Sequence, residues 1–254
     1  MYANEVNILG VPPTPITLTT ADWQKFLGRD TASAGTIQMP YAGQIVQASD
    51  PIFGEVAFIL AYGVAALTLG DTVAIGAGYA TTRALAASRG IVGVAMAANT
   101  DPTALSWFAV RGQVPAKLLA ASANLPAYTS ATAGSLTNAV VATQQATGAT
   151  ILTALGATIG TKTVGTVNGS PQVTVGNIDG LYVGCAVSGT GIAGGATVTA
   201  IGYGGLMLGI ASTPIGTLTL SANCTATAQV VGTFAHGAAF ATVMLAHPVI
   251  AGLG

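Results

Sequence analysis

Ser106-Trp107-Phe108-Ala109-Val110-Arg111-Gly112-Gln113-Val114 carries the clearest strand signal in the chain. With a period of two it sets Phe108, Val110 and Val114 on one face and Trp107, Ala109, Arg111 and Gln113 on the other, the pattern of a half-buried strand. Downstream come Asn124-Leu125-Pro126-Ala127-Tyr128, the small-residue turn Ser130-Ala131-Thr132-Ala133-Gly134, and Thr147-Gly148-Ala149-Thr150-Ile151-Leu152, a meander of short strands punctuated by glycine. Upstream, Gln44-Ile45-Val46-Gln47 alternates, Val56-Ala57-Phe58-Ile59-Leu60 is a buried run, Leu67 to Val73 carries a Gly-Asp turn, and Val92, Val94 and Met96 share a face. Helix is scarce. Pro115 to Ala123 and Ser135 to Thr147 are the candidates in this part, the better portion of the second being Ala142 to Ala146.

Composition narrows the function more than any motif does. The 254 residues suffice for a core without disulfides or metal. The 7 Lys+Arg and 8 Asp+Glu make up 6% of the chain, against about 25% in ordinary domains. Beyond Lys117 only Lys162 and Asp179 remain. A poorly charged surface on a chain that is 51% hydrophobic favours association, so the expectation is a subunit of an assembly. A net charge of -1 without a basic cluster argues against nucleic acid as a partner. Mean hydropathy is +0.66, yet the run Val56 to Leu69 is broken by Gly63 and Thr68 and falls short of the roughly 20 residues of a spanning helix. The run from Phe234 onward contains His236, His247 and Pro248 and reads as buried strands. No membrane partner is expected, and Met1-Tyr2-Ala3-Asn4-Glu5 lacks the regions of a secretion signal, which makes the cytoplasm the expected site of synthesis and assembly.

Three parts follow along the chain. Residues 1–40 read as an extended N-terminal arm, stiffened by Pro12, Pro13 and Pro15. One short helix interrupts it, capped by Thr20 and ended by Gly28, with Trp23, Phe26 and Leu27 on one stripe. Those three residues pack on their own domain or contact a partner subunit. Residues 41–160, completed by 231–254, read as a β core domain. Between them, 161–230 change texture to Thr, Val and Gly: Val164 to Val167, Gln172 to Val175, Ala196 to Ile201 and Thr217 to Ser221 alternate hydroxyl with aliphatic. That segment reads as an inserted β-sandwich-like module, and the whole as all-β with a short-stranded barrel- or sandwich-like core.

The motifs that resemble chemistry have plainer readings. Gly189-Thr190-Gly191-Ile192-Ala193-Gly194 fits G-x-G-x-x-G, but β-formers follow it and no acidic residue lies downstream, so a glycine turn is expected. Cys185 and Cys224 read as two small buried hydrophobes, with a disulfide as the alternative. Neither cysteine has the paired spacing of a zinc site. His236 and His247 belong to different strands and read as satisfied or surface imidazoles. No nucleophile-base order and no carboxylate pair stands out, so no catalytic, metal or cofactor residue is expected, and the chain is read as not an enzyme.

Trp107-Phe108-Ala109-Val110-Arg111-Gly112-Gln113-Val114, with Leu125-Pro126-Ala127-Tyr128-Thr129-Ser130-Ala131-Thr132-Ala133-Gly134-Ser135-Leu136 and Gly148-Ala149-Thr150-Ile151, resembles capsid decoration (cement) proteins of tailed bacteriophages. The segments Val167 to Thr174, Gly180 to Ile192 and Leu218 to Asn223 resemble a β module found in phage structural proteins and fibres. The resemblance implies a virion protein on the outer surface of an icosahedral head. Its partners would be the major capsid protein and itself, as a homotrimer, and it would reinforce the shell without a cofactor. A tail or fibre component and a carbohydrate-binding module, with Trp107, Tyr182 or Tyr203 as stacking surfaces, are the alternatives.

Overall fold

The computed structural model describes residues 3–4, 42–50, 52–141, 144–203 and 216–250. The protein is all-β, about 53% strand and 2% helix, so strands and their turns carry the architecture. The strands are β1 (Ala3–Asn4), β2 (Ile45–Asp50), β3 (Gly54–Tyr62), β4 (Thr72–Ile75), β5 (Thr81–Arg83), β6 (Gly90–Ala95), β7 (Leu105–Ala120), β8 (Leu125–Thr129), β9 (Leu136–Thr137) and β10 (Gln145–Ile151). After them come β11 (Thr158–Thr166), β12 (Gln172–Val175), β13 (Ala186–Ser188), β14 (Val198–Tyr203), β15 (Gly216–Leu220), β16 (Ala228–Ala235) and β17 (Phe240–Ile250).

Six strands close on themselves. β7 pairs with β6 and β9, β9 with β8, β8 with β10, β10 with β17, and β17 with β6, while β17 also runs beside β7. Closure removes the free sheet edges that would otherwise invite pairing with other chains. The largest apolar cluster joins barrel residues Val92, Val94, Trp107, Leu136, Ile151, Val243 and Leu245 with Val56, Phe58 and Leu60 of the adjoining β3. A second layer lies on the opposite face of the same strands, where Phe108 and Val110 meet Ala57, Ile59, Leu67, Val73 and Ile75. From the barrel β3, β2 and β1 extend on one side, and β4 and β5 on the other.

β7 departs from simple alternation in two ways, and both have a physical cause. Ser106 to Val110 are buried on both faces because the strand is sandwiched between the two apolar clusters. The period of two then breaks at a bulge. Ala57 pairs with Arg111 and Phe58 with Ala109, so Val110 is the extra residue, and Gly112 takes φ +98 beside it. A β-carbon at Gly112 would sit 2.2 Å from the Glu55 carbonyl oxygen, which leaves glycine as the fitting residue. Beyond the bulge the faces exchange, and Val114 joins Trp107 in the barrel instead of Phe108 and Val110 in the outer layer.

The two helix candidates are strand and turn instead. Pro115 lies within β7, at a place where a proline costs no hydrogen bond. Leu118 N–H donates to the Ala239 carbonyl on the β17 side, whereas Lys117 N–H donates to Gly70 on the other. Pro115, two residues before Lys117, directs its missing N–H to that second side, past Arg111, the last residue that β3 pairs. In the second candidate, Leu136 is fully buried as part of β9, and the Thr137 hydroxyl takes the Ala139 N–H. That bond diverts the backbone from a helical path. Ala142 lies outside the described residues, and β10 resumes at Gln145.

The second sheet has the order β13-β16-β11-β12-β15-β14 and curls like half a barrel. A bridge between Ala186 and Thr197 brings its ends together. Hydroxyl-aliphatic alternation in β12 and β15 turns Val173, Val175, Leu218 and Leu220 inward, onto Val164, Ile178, Cys185, Val198 and Phe234. The arm with Trp23, Phe26 and Leu27 lies outside the described residues, save that Ala3 and Asn4 pair antiparallel with Ser49 and Ala48 of β2.

Candidate functional site

Two acidic side chains are buried among the described residues, Asp71 and Asp179, and the first of them gathers a cluster of partners. Asp71 is fully buried in the turn entering β4. Its carboxylate accepts from the Thr68 backbone N–H at 2.9 Å and the Thr68 hydroxyl at 3.0 Å, and lies 2.8 Å from Lys117 Nζ and 3.0 Å from Arg83 Nε. Lys117 also donates to the Thr68 hydroxyl, and Arg83 Nη2 donates to the Ala133 carbonyl at 2.8 Å. The carboxylate is thus satisfied by two cations that keep one side toward water, an arrangement that ties β4, β5 and β7 together. Its partners stand 12 and 46 positions away in sequence, so only the fold reveals the cluster.

The junction of the two sheets holds the other network. His236, just past β16, is buried and bonded at both ring nitrogens: to the Tyr182 hydroxyl at 2.9 Å through Nδ1 and to the Thr242 hydroxyl at 2.8 Å through Nε2. A neutral imidazole satisfies both, with Tyr182 donating to Nδ1 and Nε2–H donating to Thr242. Burial pushes the imidazole down to about 4 and raises the Tyr182 phenol, so both stay uncharged near neutral pH. Phe240 packs on Tyr182 at 5.4 Å and fills the space over Gly70, Phe53 stands 6.4 Å from the His236 ring, and Ile52 covers Gly180. The hairpin from β16 into β17 thereby threads a polar relay through an apolar joint.

Other residues singled out by sequence fall into plain roles. Trp107 and Tyr182 are 7% and 8% exposed, which removes them as stacking surfaces for sugar rings. The glycine run Gly189 to Gly194 is the turn from β13 toward β14, with Gly191 at φ +77 and no helix after it. Cys185 and Cys224 are buried free thiols, and burial drives the Cys185 thiol up to about 12, away from nucleophilic use. His247, exposed and at φ +50, borders an open groove of about 600 Å³ with Phe53, Gln113, Met244 and the loose Glu55–Arg111 pair at 3.8 Å. A pair whose side chains are both half exposed holds little energy.

Among the described residues no group of three or more His, Cys, Asp or Glu side chains gathers as a metal site, and no helix is long and apolar enough to cross a membrane. Exposed large apolar side chains include Ile45, Leu119, Val140, Val167 and Val231. The charged side chains exposed among the described residues are Glu55, Arg89, Asp101 and Arg111. Compared with protein-family models, curated proteins and solved structures, the chain gives no match.

Proposed function

We propose that the protein is a structural component of a bacteriophage virion, a decoration protein that binds the outer surface of an icosahedral head and reinforces the shell. The observation that carries this reading is how the ionisable groups are used. Asp71, Arg83 and Lys117 brace the barrel and His236 is sealed neutral in the joint, while the exposed described positions carry only Glu55, Arg89, Asp101 and Arg111 as charged side chains beside many Thr, Gln, Val, Ile and Leu. Such a surface suits burial against another protein rather than turnover of a substrate. On a lattice the contact is repeated many times, so modest affinity at each site adds up.

In this reading the partners are the major capsid protein and further copies of the chain, as a trimer, and neither nucleic acid, membrane nor cofactor takes part. Assembly in the host cytoplasm places the protein on the finished capsid. The resemblance of the Trp107 to Val114 and Leu125 to Leu136 segments to decoration proteins supports the head over the tail. A tail or fibre position is the second reading, favoured by the Thr-rich second sheet. Mixing the purified protein with shells that lack it tests the choice. Co-sedimentation with the shells and a rise in their disruption temperature is the expected result, and absence of binding to shells together with binding to isolated tails would reverse it.

A further inference from the structure

We propose that the outer face of the second sheet carries a groove for a neutral oligosaccharide chain. This goes beyond attachment to a shell and rests on different residues. Register places Gln229, Gly165, Thr174, Thr217 and Gly202 in one row across β16, β11, β12, β15 and β14, and Gln172 beside Thr219 and Ala200 in the next. Both rows are free of charge. The two glycines shape the floor: a β-carbon at Gly165 would lie 2.5 Å from the Thr174 hydroxyl, and one at Gly202 would lie 2.6 Å from that of Thr217. Without those carbons the two threonines form a ridge whose hydroxyls are reachable from either side. Next to the ridge lies an open groove of about 550 Å³, bordered by Gln172, Gln229, Thr227 and Val167.

The chemistry of this lining selects the ligand class. Gln amides and Thr hydroxyls each donate and accept, which matches the hydroxyls of a pyranose, and half-exposed Val167 offers apolar surface to its C–H face. The side-chain amides of Gln172 and Gln229 bond no other described residue, whereas the buried Thr166 hydroxyl is turned inward to the Ala226 and Ala228 carbonyls. An ionic ligand would find no counter-charge here. A second copy of the same face is disfavoured because stacked sheets need protruding side chains to interdigitate, and the glycine recesses remove them.

The test is an amide-shift titration of the full chain by NMR with maltohexaose, cellohexaose and fully N-acetylated chitohexaose, with an alginate oligomer as the anionic comparison. At least one neutral oligomer is expected to shift the amides around Gln172 to Thr174 and Thr217 to Thr219 at millimolar concentration, and alginate to leave them unmoved. The double variant Gln172→Ala, Gln229→Ala should weaken that binding about ten-fold or more, from two lost neutral hydrogen bonds, with an unchanged melting temperature. The proposal is overturned if none of the three neutral oligomers moves the groove amides, or if binding persists undiminished in the double variant. Broadening of the same amides with protein concentration alone would also overturn it, by making a second copy the occupant.

Discussion

Lowering the pH from about 7 to about 5 is expected to cost the protein about 2 kcal/mol through His236 alone. The imidazole is held neutral between Tyr182 and Thr242, and burial moves its pKa from 6.5 down to about 4. The folded-state value lies below the unfolded one, so as the pH falls the unfolded chain takes up the proton first. The contribution is therefore intact above the unfolded value of 6.5 and erodes between there and about 4, where the loss levels off at about 3 kcal/mol, taking ~1.4 kcal/mol for each tenfold of proton affinity. Urea unfolding followed by far-UV circular dichroism at several pH values measures this, with His236→Gln as the comparison. The variant gives up one or both hydrogen bonds, about 1 kcal/mol each, but has no group to titrate there. Carboxylates such as Asp101 contribute equally to both proteins, so the difference in slope isolates the joint. Parallel loss of stability in wild type and variant would refute the reasoning.

Asp71→Asn strands two cations in the barrel wall and is expected to lower stability by about 2–4 kcal/mol, seen as a melting temperature reduced by several degrees; an unchanged midpoint would show that Arg83 and Lys117 reach water without cost. Gly112→Val, which needs φ +98 and places carbon against the Glu55 carbonyl, should cost at least about 2 kcal/mol, against about 1 for Gly54→Ala, where φ is also positive but the space is open. Replacing 161–230 by a Gly/Ser linker is expected to leave a folded barrel that melts lower, because Leu69 and Phe240 lose the second core that they pack against; aggregation alone would mean that the two sheets share one core. Removing the residues before Tyr41 should barely move the melting temperature yet weaken attachment to particles, and the reverse pattern would assign the segment to ordinary packing.

The strands were legible because alternation is a local signal. Thr and aliphatic residues in Gln172 to Val175 and Thr217 to Ser221 separate cleanly into outer and inner faces, as the burial of Val173, Val175, Leu218 and Leu220 records. The exchange of faces within β7 was not legible, since Gly112 in sequence is just a glycine until the neighbouring carbonyl of Glu55 fixes its role. Pro115 misled for a related reason. Its tolerance depends on which neighbour flanks β7 at that residue, and that is set by closure of the barrel. Both polar networks were invisible beforehand. Asp71 reads as an ordinary turn residue and His236 as an isolated imidazole, and their partners, Lys117 and Tyr182, are 46 and 54 positions away. Likewise Tyr182 and Trp107, two of the three rings that suggested sugar stacking, are core residues, whereas the side chain of Tyr203 lies outside the described residues; the groove on the second sheet depends on glycines and glutamines brought into register by five different strands.

Electron microscopy of particles carrying the protein with a tag at its C-terminus shows where on the virion it sits. A decoration protein gives tag density over the outer surface of the head, repeated at the three-fold positions of the lattice, and lost from particles made without the protein. Tag density confined to the tail or its fibres, or particles whose heads are identical with and without the protein, would contradict that placement.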